Sequence, residues 1–360
     1  MNLKNHVFLF LTICLFTLGC KTSATDDPNP TSTAGTGTIK DCSSLTGLAK
    51  VVCLAENFKA TLSSSQLTTM QLDYSKTNAV KWSNLPQALT QTKRVGLDFG
   101  SLSASQIEAA KLLLKEITGT VSNEGYAELL QIMGADNYLN TNGGGATYGE
   151  GNYYIAFLGT PSTTGLWELQ FGGHHFALAN TYNQGKLIGA TPSFRAVEPM
   201  AAFALNSAQV QPIEQERKAF SDMLKGLSAN ELSTARLSST FSDILLGPGK
   251  DGQFPTAKSG LKVGDLSADK KNLVLNAIKT YVQDIDDTNA ATILAKYTSE
   301  LDNTYISYAG TTDVNTQNDY VRIDGTNIWI EYSAQGGIVI RGVSHPHSVW
   351  RDRSGDYGGN

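Results

Sequence analysis

"YVRIDGTNIWIEYS", residues 320–333, decides the fold class. Apolar and polar residues alternate on both sides of Asp324 and Gly325, the pattern of two strands joined by a tight turn. Upstream, "NYYIAFLG" (152–159) and "WELQF" (167–171) are short aromatic and aliphatic runs of the same kind. "HHFALANTY" (174–182), "NQG" and "KLIGA" read as another hairpin. Two strand blocks result, at about 152–193 and 304–343. Elsewhere the period changes. In "LSASQIEAAKLLLKEI" (102–117), Ser103 stands three residues before Gln106, so each side chain can satisfy a free backbone donor at a helix start. Ser63 with Gln66 and Ser228 with Glu231 repeat the device, and Ser267 opens "LSADKKNLVLNAIKTYV" without it. The copies are spaced too irregularly for a solenoid, so they read as convergent helix capping. Helices thus dominate 42–134 and 213–301. The chain is α+β, with helical segments around a mixed or antiparallel sheet formed from both strand blocks.

Working outward, residues 1–19 carry Lys4 and then an apolar run from Val7 to Phe16, as a secretory signal does. The run is too short for the roughly 20 apolar residues of a membrane span. "TLGC" resembles a lipoprotein box, with Thr17 where a leucine is commonest, so Cys20 is the expected lipidation site. Ordinary cleavage is the alternative. Residues 20–40 form the lipidated cysteine and a flexible tether too polar to bury a core. Residues 41–360 are expected to be a single α+β domain, held at the cell envelope by the lipid anchor. Cys42 and Cys53 are then the only cysteine pair, in a compartment where disulfides persist. On one continuous helix they would stand about 16 Å apart, so a bridge requires a break near Gly47. Without the signal, 27 basic side chains face 33 acidic ones and none of the basic ones cluster. Nucleic acid is therefore excluded as a partner.

Familiar hydrolase and zinc signatures are absent. "GPGKDG" (247–252) lacks the Ser or Thr of a phosphate loop, and "DIDDTN" from Asp284 lacks the glycine and glutamate of a calcium loop. The glycine-rich "NGGGATYGEG" (142–151) is a mobile loop and a candidate lid.

Histidine carries the remaining signal. Apart from His6 in the signal, all histidines fall in two pairs, His174 with His175 and His345 with His347. Pro346 pushes His345 toward extended geometry, where residues two apart point the same way and can present two imidazoles to one metal. Pro346 also suits an edge strand. His174 and His175 are adjacent, so on a strand only one of them faces that point. Imidazoles suit zinc, copper or iron. Glu168, Glu331 and Asp352 are candidate carboxylates, and Arg322, Arg341 and Arg351 could clamp an anion. Trp167, Trp329 and Trp350 read as core. Taken together, His174, His175, His345 and His347 are expected metal ligands, and His174, His175, Glu331 and Arg351 candidate catalytic residues. The alternatives are metal-free acid–base catalysis and buried structural histidines.

Several stretches also resemble a known family: "VSNEGYAELLQIM", "YYIAFLGTPSTTGLWELQFGGHHFALAN", "TPSFRAVEP", "VRIDGTNIWIEYSAQGGIVIRG" and "HPHSVWRDRSGDYGG". They are similar to the bacterial and fungal domain of unknown function 3500, from about Leu85 onward. The resemblance implies one family-wide domain and supplies no activity. The expected function is a cell-envelope lipoprotein with a histidine metal site, acting as a metal-dependent hydrolase on a small-molecule or envelope substrate. A metal- or ligand-binding lipoprotein without turnover is the competing expectation.

Overall fold

The computed structural model describes residues 35, 37–90 and 94–359. The expected signal, Cys20 and most of the tether lie outside them. In chain order the first half runs α1 (Gly47–Ala60), α2 (Ser64–Met70), β1 (Gln71–Leu72), α3 (Lys76–Ala79), β2 (Leu97–Asp98), α4 (Ala104–Ile117), α5 (Gly125–Leu139), β3 (Tyr154–Leu158), β4 (Trp167–Gly173), β5 (Phe176–Asn183), β6 (Lys186–Gly189) and β7 (Ser193–Ala196). A small separate hairpin follows, β8 (Phe203–Leu205) with β9 (Ala208–Val210). The second half runs α6 (Glu214–Lys225), α7 (Ala229–Ala235), β10 (Leu261–Lys262), α8 (Ala268–Val282), α9 (Asp287–Ser299), β11 (Tyr305–Ala309), β12 (Tyr320–Asp324), β13 (Ile328–Gly336) and β14 (Ser344–Asp352).

Twelve of these strands form one sheet in the order β1-β3-β4-β5-β7-β14-β13-β12-β11-β10, with β2 also on β3 and β6 on β5. All pairings are antiparallel except β1 with β3. The α+β expectation therefore holds, and β7 against β14 is the seam where the two strand blocks become one sheet. The second block reaches further than the sequence suggested. "SHPHSVWRD" is itself a strand, and it is central rather than an edge. Pro346 fits there because β7 pairs only with residues from His347 onward. The proline nitrogen lies past the end of that ladder, so its missing N–H breaks no bond.

The capping motifs turn out not to be independent. Ser63 and Ser228 form complete capping boxes on α2 and α7, Ser103 does so on α4, and Ser267 opens α8. "GLDFGSLS" (96–103) leads into α4 as "GLKVGDLS" (260–267) leads into α8. β2 lies antiparallel on β3 as β10 does on β11, and α1 packs on α4 as α6 does on α8. Gly96 and Gly260 share positive φ (+98° and +100°), and a Cβ on either would meet the Ile155 or Ile306 carbonyl oxygen at 2.2 Å. Only glycine fits either place. The chain thus contains one structural motif twice, and convergent capping is the wrong reading. Irregular spacing excluded a solenoid, but it does not exclude a twofold repeat whose copies lie some 165 residues apart.

Alternation along the strands divides the core between the two faces. One face packs Phe171, Phe176, Ile330 and Trp350 against Leu113, Leu129, Phe220 and Ile278 of the helices. The other packs Ala177, Ala179, Phe194 and Val349 under Trp82 and Tyr357, covered by the short α3 and irregular chain rather than by long helices. Trp167, Trp329 and Trp350 are all fully buried, as expected. Cys42 and Cys53 are bonded with Cα atoms 5.9 Å apart. The required break exists, because α1 begins only at Gly47, with φ +53°. Replacing both cysteines with serine is expected to cost about 3 kcal/mol in urea unfolding, the chain-entropy value for so short a loop. A loss near zero would mean that the bridge constrains nothing the fold does not already hold.

Candidate metal centre

Residues two apart on β14 share a face, and His345 and His347 do so with their Nε2 atoms 2.9 Å apart. The opposite ring nitrogens face polar partners. His345 Nδ1 lies 3.4 Å from the Gly336 carbonyl oxygen, and His347 Nδ1 lies 3.0 Å from Asp243 Oδ1 and 2.6 Å from the Gln335 amide. If each Nδ1–H donates to its oxygen acceptor, which for His347 requires the Gln335 amide to turn its oxygen rather than its nitrogen toward the ring, both Nε2 lone pairs point into the same space. Lone pairs that close repel unless a proton or a cation lies between them. Two nitrogens on a tetrahedral zinc ion would stand roughly 3.3 Å apart, within a few tenths of an ångström of what is found.

The other pair reaches this point by a different route from the one its sequence suggested. His174 and His175 are not on a strand; they are the whole turn between Gly173 and Phe176, which pair with each other. His175 takes φ +67°, a left-handed conformation costing of order 1–3 kcal/mol for a residue with a Cβ. Its N–H donates to the Asn84 carbonyl (3.3 Å), and its own carbonyl accepts from the Ala196 N–H (2.9 Å). The two rings stack at 3.5 Å, so both lie on one side. The His175 ring centre is 4.9 Å from that of His345 and 5.4 Å from that of His347.

His175, His345 and His347, all buried, offer nitrogens within 4.8 Å of one another, a group that could hold a metal ion. His174 stands beside this triplet. Its Nδ1 lies 2.6 Å from Asp136 Oδ1 on α5, and Asp136 Oδ2 accepts from the Gly149 N–H at 2.7 Å. Tyr148 meets the His174 ring edge-on at 4.9 Å. The glycine-rich segment therefore packs on the site. Burial pushes the His345 imidazole down to about 3 and holds His175 well below its ordinary value, helped by the neighbouring histidines. Burial also lowers His174, against the pull of Asp136. Neutral imidazole is the state that binds metal.

The remaining candidates are held elsewhere. Glu331 accepts from Trp329 Nε1 (2.8 Å), Tyr320 (2.6 Å) and the N–H groups of Leu245 and Leu246 (2.7 and 2.9 Å). Arg351 is fully buried between Asp251 and Asp356 and also donates to the Leu246 and Gly247 carbonyls. Both anchor the loop that crosses this face, and neither enters the histidine group. Asp352 binds Lys296 and Tyr297, and Arg322 packs over Trp329. Arg341 lines an open cavity of about 680 Å³ together with Gln335, Gly336 and Ser344. Gln335 and Gly336 are the residues behind His347 and His345. Sequence reasoning missed Asp136, Asp243 and Gln335; of these only Asp136, an acid within the apolar "LLQIMGADNYL", left any mark. A second group that could hold a metal is the buried set Glu124, Glu128, Glu216 and Asp284. Burial and mutual repulsion raise Glu128 to about 8 and Glu124 to about 11.

The family described as "Protein of unknown function (DUF3500)" matches residues 46–359. The chain belongs to that family. The match begins well before Leu85 and takes in both structural copies and both histidine pairs. The family's description carries no activity to transfer. No curated protein and no solved structure matches the chain.

Glu168 yields a measurable consequence. It accepts from Thr181 (2.7 Å) and Gln170 (2.8 Å), and burial pushes its carboxyl up to about 7. The folded state keeps this proton up to about pH 7, whereas the unfolded chain releases it near 4.5. Its contribution to stability is therefore complete below about pH 4.5 and lost as pH rises through 7, a loss on the order of 3 kcal/mol. Glu168→Gln should remove that part of the slope in urea unfolding followed from about pH 4.5 to 8. An unchanged slope would contradict the assignment.

Proposed function

We propose that this member of the family is a cell-envelope lipoprotein with a divalent transition-metal centre on His175, His345 and His347, and that its chemistry is metal-assisted hydrolysis. One observation carries the reading: three buried imidazoles converge from segments some 170 residues apart. An all-nitrogen donor set favours zinc, copper or iron over calcium or magnesium. Three protein ligands leave a fourth position, where such a metal brings the pKa of a bound water to near 7. His174, oriented by Asp136 and neutral, is the adjacent base. The cavity lined by Arg341 suits a small polar or anionic substrate. The Cys42–Cys53 bridge supports an oxidising compartment, in keeping with the signal and Cys20.

A second reading, a closed metal site without turnover, is favoured by burial, since no histidine of the four is more than 6% exposed. Metal analysis of the soluble chain starting after Cys20, prepared without a histidine tag, tests both. Near-stoichiometric zinc, copper or iron is expected, lost in His345→Ala/His347→Ala. Asp136→Asn should keep the metal and slow hydrolysis roughly 10-fold or more. Metal without turnover in a screen of small esters, amides and phosphoesters would leave the closed site. No metal even after reconstitution would sink both readings. Separately, Cys20→Ser should move the full-length protein from the membrane to the soluble fraction, and wild-type protein found soluble would refute the anchor.

A further inference from the structure

Arg195 on β7 precedes Ala196, the residue opposite His347, and so points to the other face of the sheet. There its Nε lies 3.0 Å from Glu128 Oε2 and 2.5 Å from Asp284 Oδ2. Glu124, at the N-cap of α5, and Glu216, in the first turn of α6, complete a set of four carboxylates with oxygens within 4.8 Å of one another. Some of these oxygens are satisfied. Glu128 Oε1 accepts from the Ile213 N–H (3.0 Å) and the Gln215 amide (3.2 Å), and Asp284 Oδ1 accepts from the Gly125 N–H (2.8 Å).

Glu216 is different. Its side chain is fully buried, and among the described residues neither of its oxygens has a hydrogen-bond partner, nor has Glu124 Oε2. Four carboxylates against one guanidinium leave a negative excess that a dry interior does not tolerate. Shared protons relieve much of that excess, since burial raises Glu124, Glu128 and Glu216, but among the described residues no hydrogen bond reaches either oxygen of Glu216, which is costly in a dry interior. A cation at the centre satisfies every orphaned oxygen at once. The group lies close to solvent, because Gln215, whose amide donates to Glu128, also lines an open cavity of about 360 Å³ with Asn123 and Lys218.

We propose that Glu124, Glu128, Glu216 and Asp284 bind a hard divalent cation, calcium, magnesium or manganese, which pins α5, α6 and the α8–α9 junction to β7. Oxygen-only donors select such ions, whereas the histidine group selects softer ones. The proposal does not depend on a metal at the histidines.

The test uses the full-length His345→Ala/His347→Ala protein, so that no ion can act at the imidazoles. After chelator treatment, calcium, magnesium and manganese chlorides are titrated separately by calorimetry and in thermal unfolding. At least one ion should bind one-to-one and raise the unfolding midpoint by about 5 °C or more at saturation. Glu216→Gln in the same background should weaken that binding at least 10-fold, and Glu124→Gln takes its place if that variant does not fold. No binding of any of the three ions, or binding unchanged in the folded carboxylate variant, overturns the proposal. If the double-histidine variant does not fold, electron paramagnetic resonance of manganese in the wild-type protein decides. Bound manganese without nitrogen coupling is expected, and nitrogen coupling or no bound manganese overturns the proposal.

Discussion

Four residues of β7 pair with four of β14, and nearly everything else depends on that pairing. It is where the two copies of the motif meet, so it turns two half-sheets into one. It also builds the histidine group. Phe176 pairs with Arg195, and the next residue of β7, Ala196, pairs with His347, so the turn before Phe176 ends up beside β14. The bond from the Ala196 N–H to the His175 carbonyl ties that turn to the seam. Ala196 is fully buried between the two pairs, and its small side chain leaves room for the imidazoles.

The seam also separates two kinds of chemistry. Alternation along β7 and β14 sends Phe194, Ala196, His345 and His347 to the loop-covered face, and Arg195 and Ser348 to the helix-covered face. Ser348 there bonds Tyr281 of α8, and Arg195 binds the carboxylates. Nitrogen donors thus gather on one side of a single pair of strands and oxygen donors on the other. On the histidine side α5 reaches the site through Asp136, and side chains such as Asp243, Gln335 and Tyr148 complete its wall. The left-handed conformation of His175 has its reason here, since the turn places its ring against His345 and His347 at the cost of backbone strain.

Much of this was legible in the chain. Strand and helix periods gave the α+β class and both blocks, the two-residue spacing of His345 and His347 gave their common direction, and Gly47 marked the break that lets Cys42 reach Cys53. What stayed hidden depends on long-range pairing or on turn chemistry. In "GGHHF" the glycines belong to β4 and the turn positions themselves hold His174 and His175, residues with no turn preference, so the pattern reads as continuous strand and does not choose between the two histidines. Asp136 and Asp243 reach their histidines from 38 and 104 residues away, and no local pattern announces such partners. The repeat escaped notice because the copies share caps and glycines rather than runs of identical residues. "GLDFGSLS" and "GLKVGDLS" show their kinship only once both are seen to turn into equivalent helices.

The central claim is that His175, His345 and His347 close on one metal ion. Anomalous diffraction from crystals of the protein purified without a histidine tag, collected on both sides of the zinc, copper and iron edges, tests it most directly. The account predicts one strong peak about 2.1 Å from a ring nitrogen of each of these three residues, and none bound to His174. A map with no peak there, His345 and His347 joined only by a hydrogen bond between their Nε2 atoms, would contradict it.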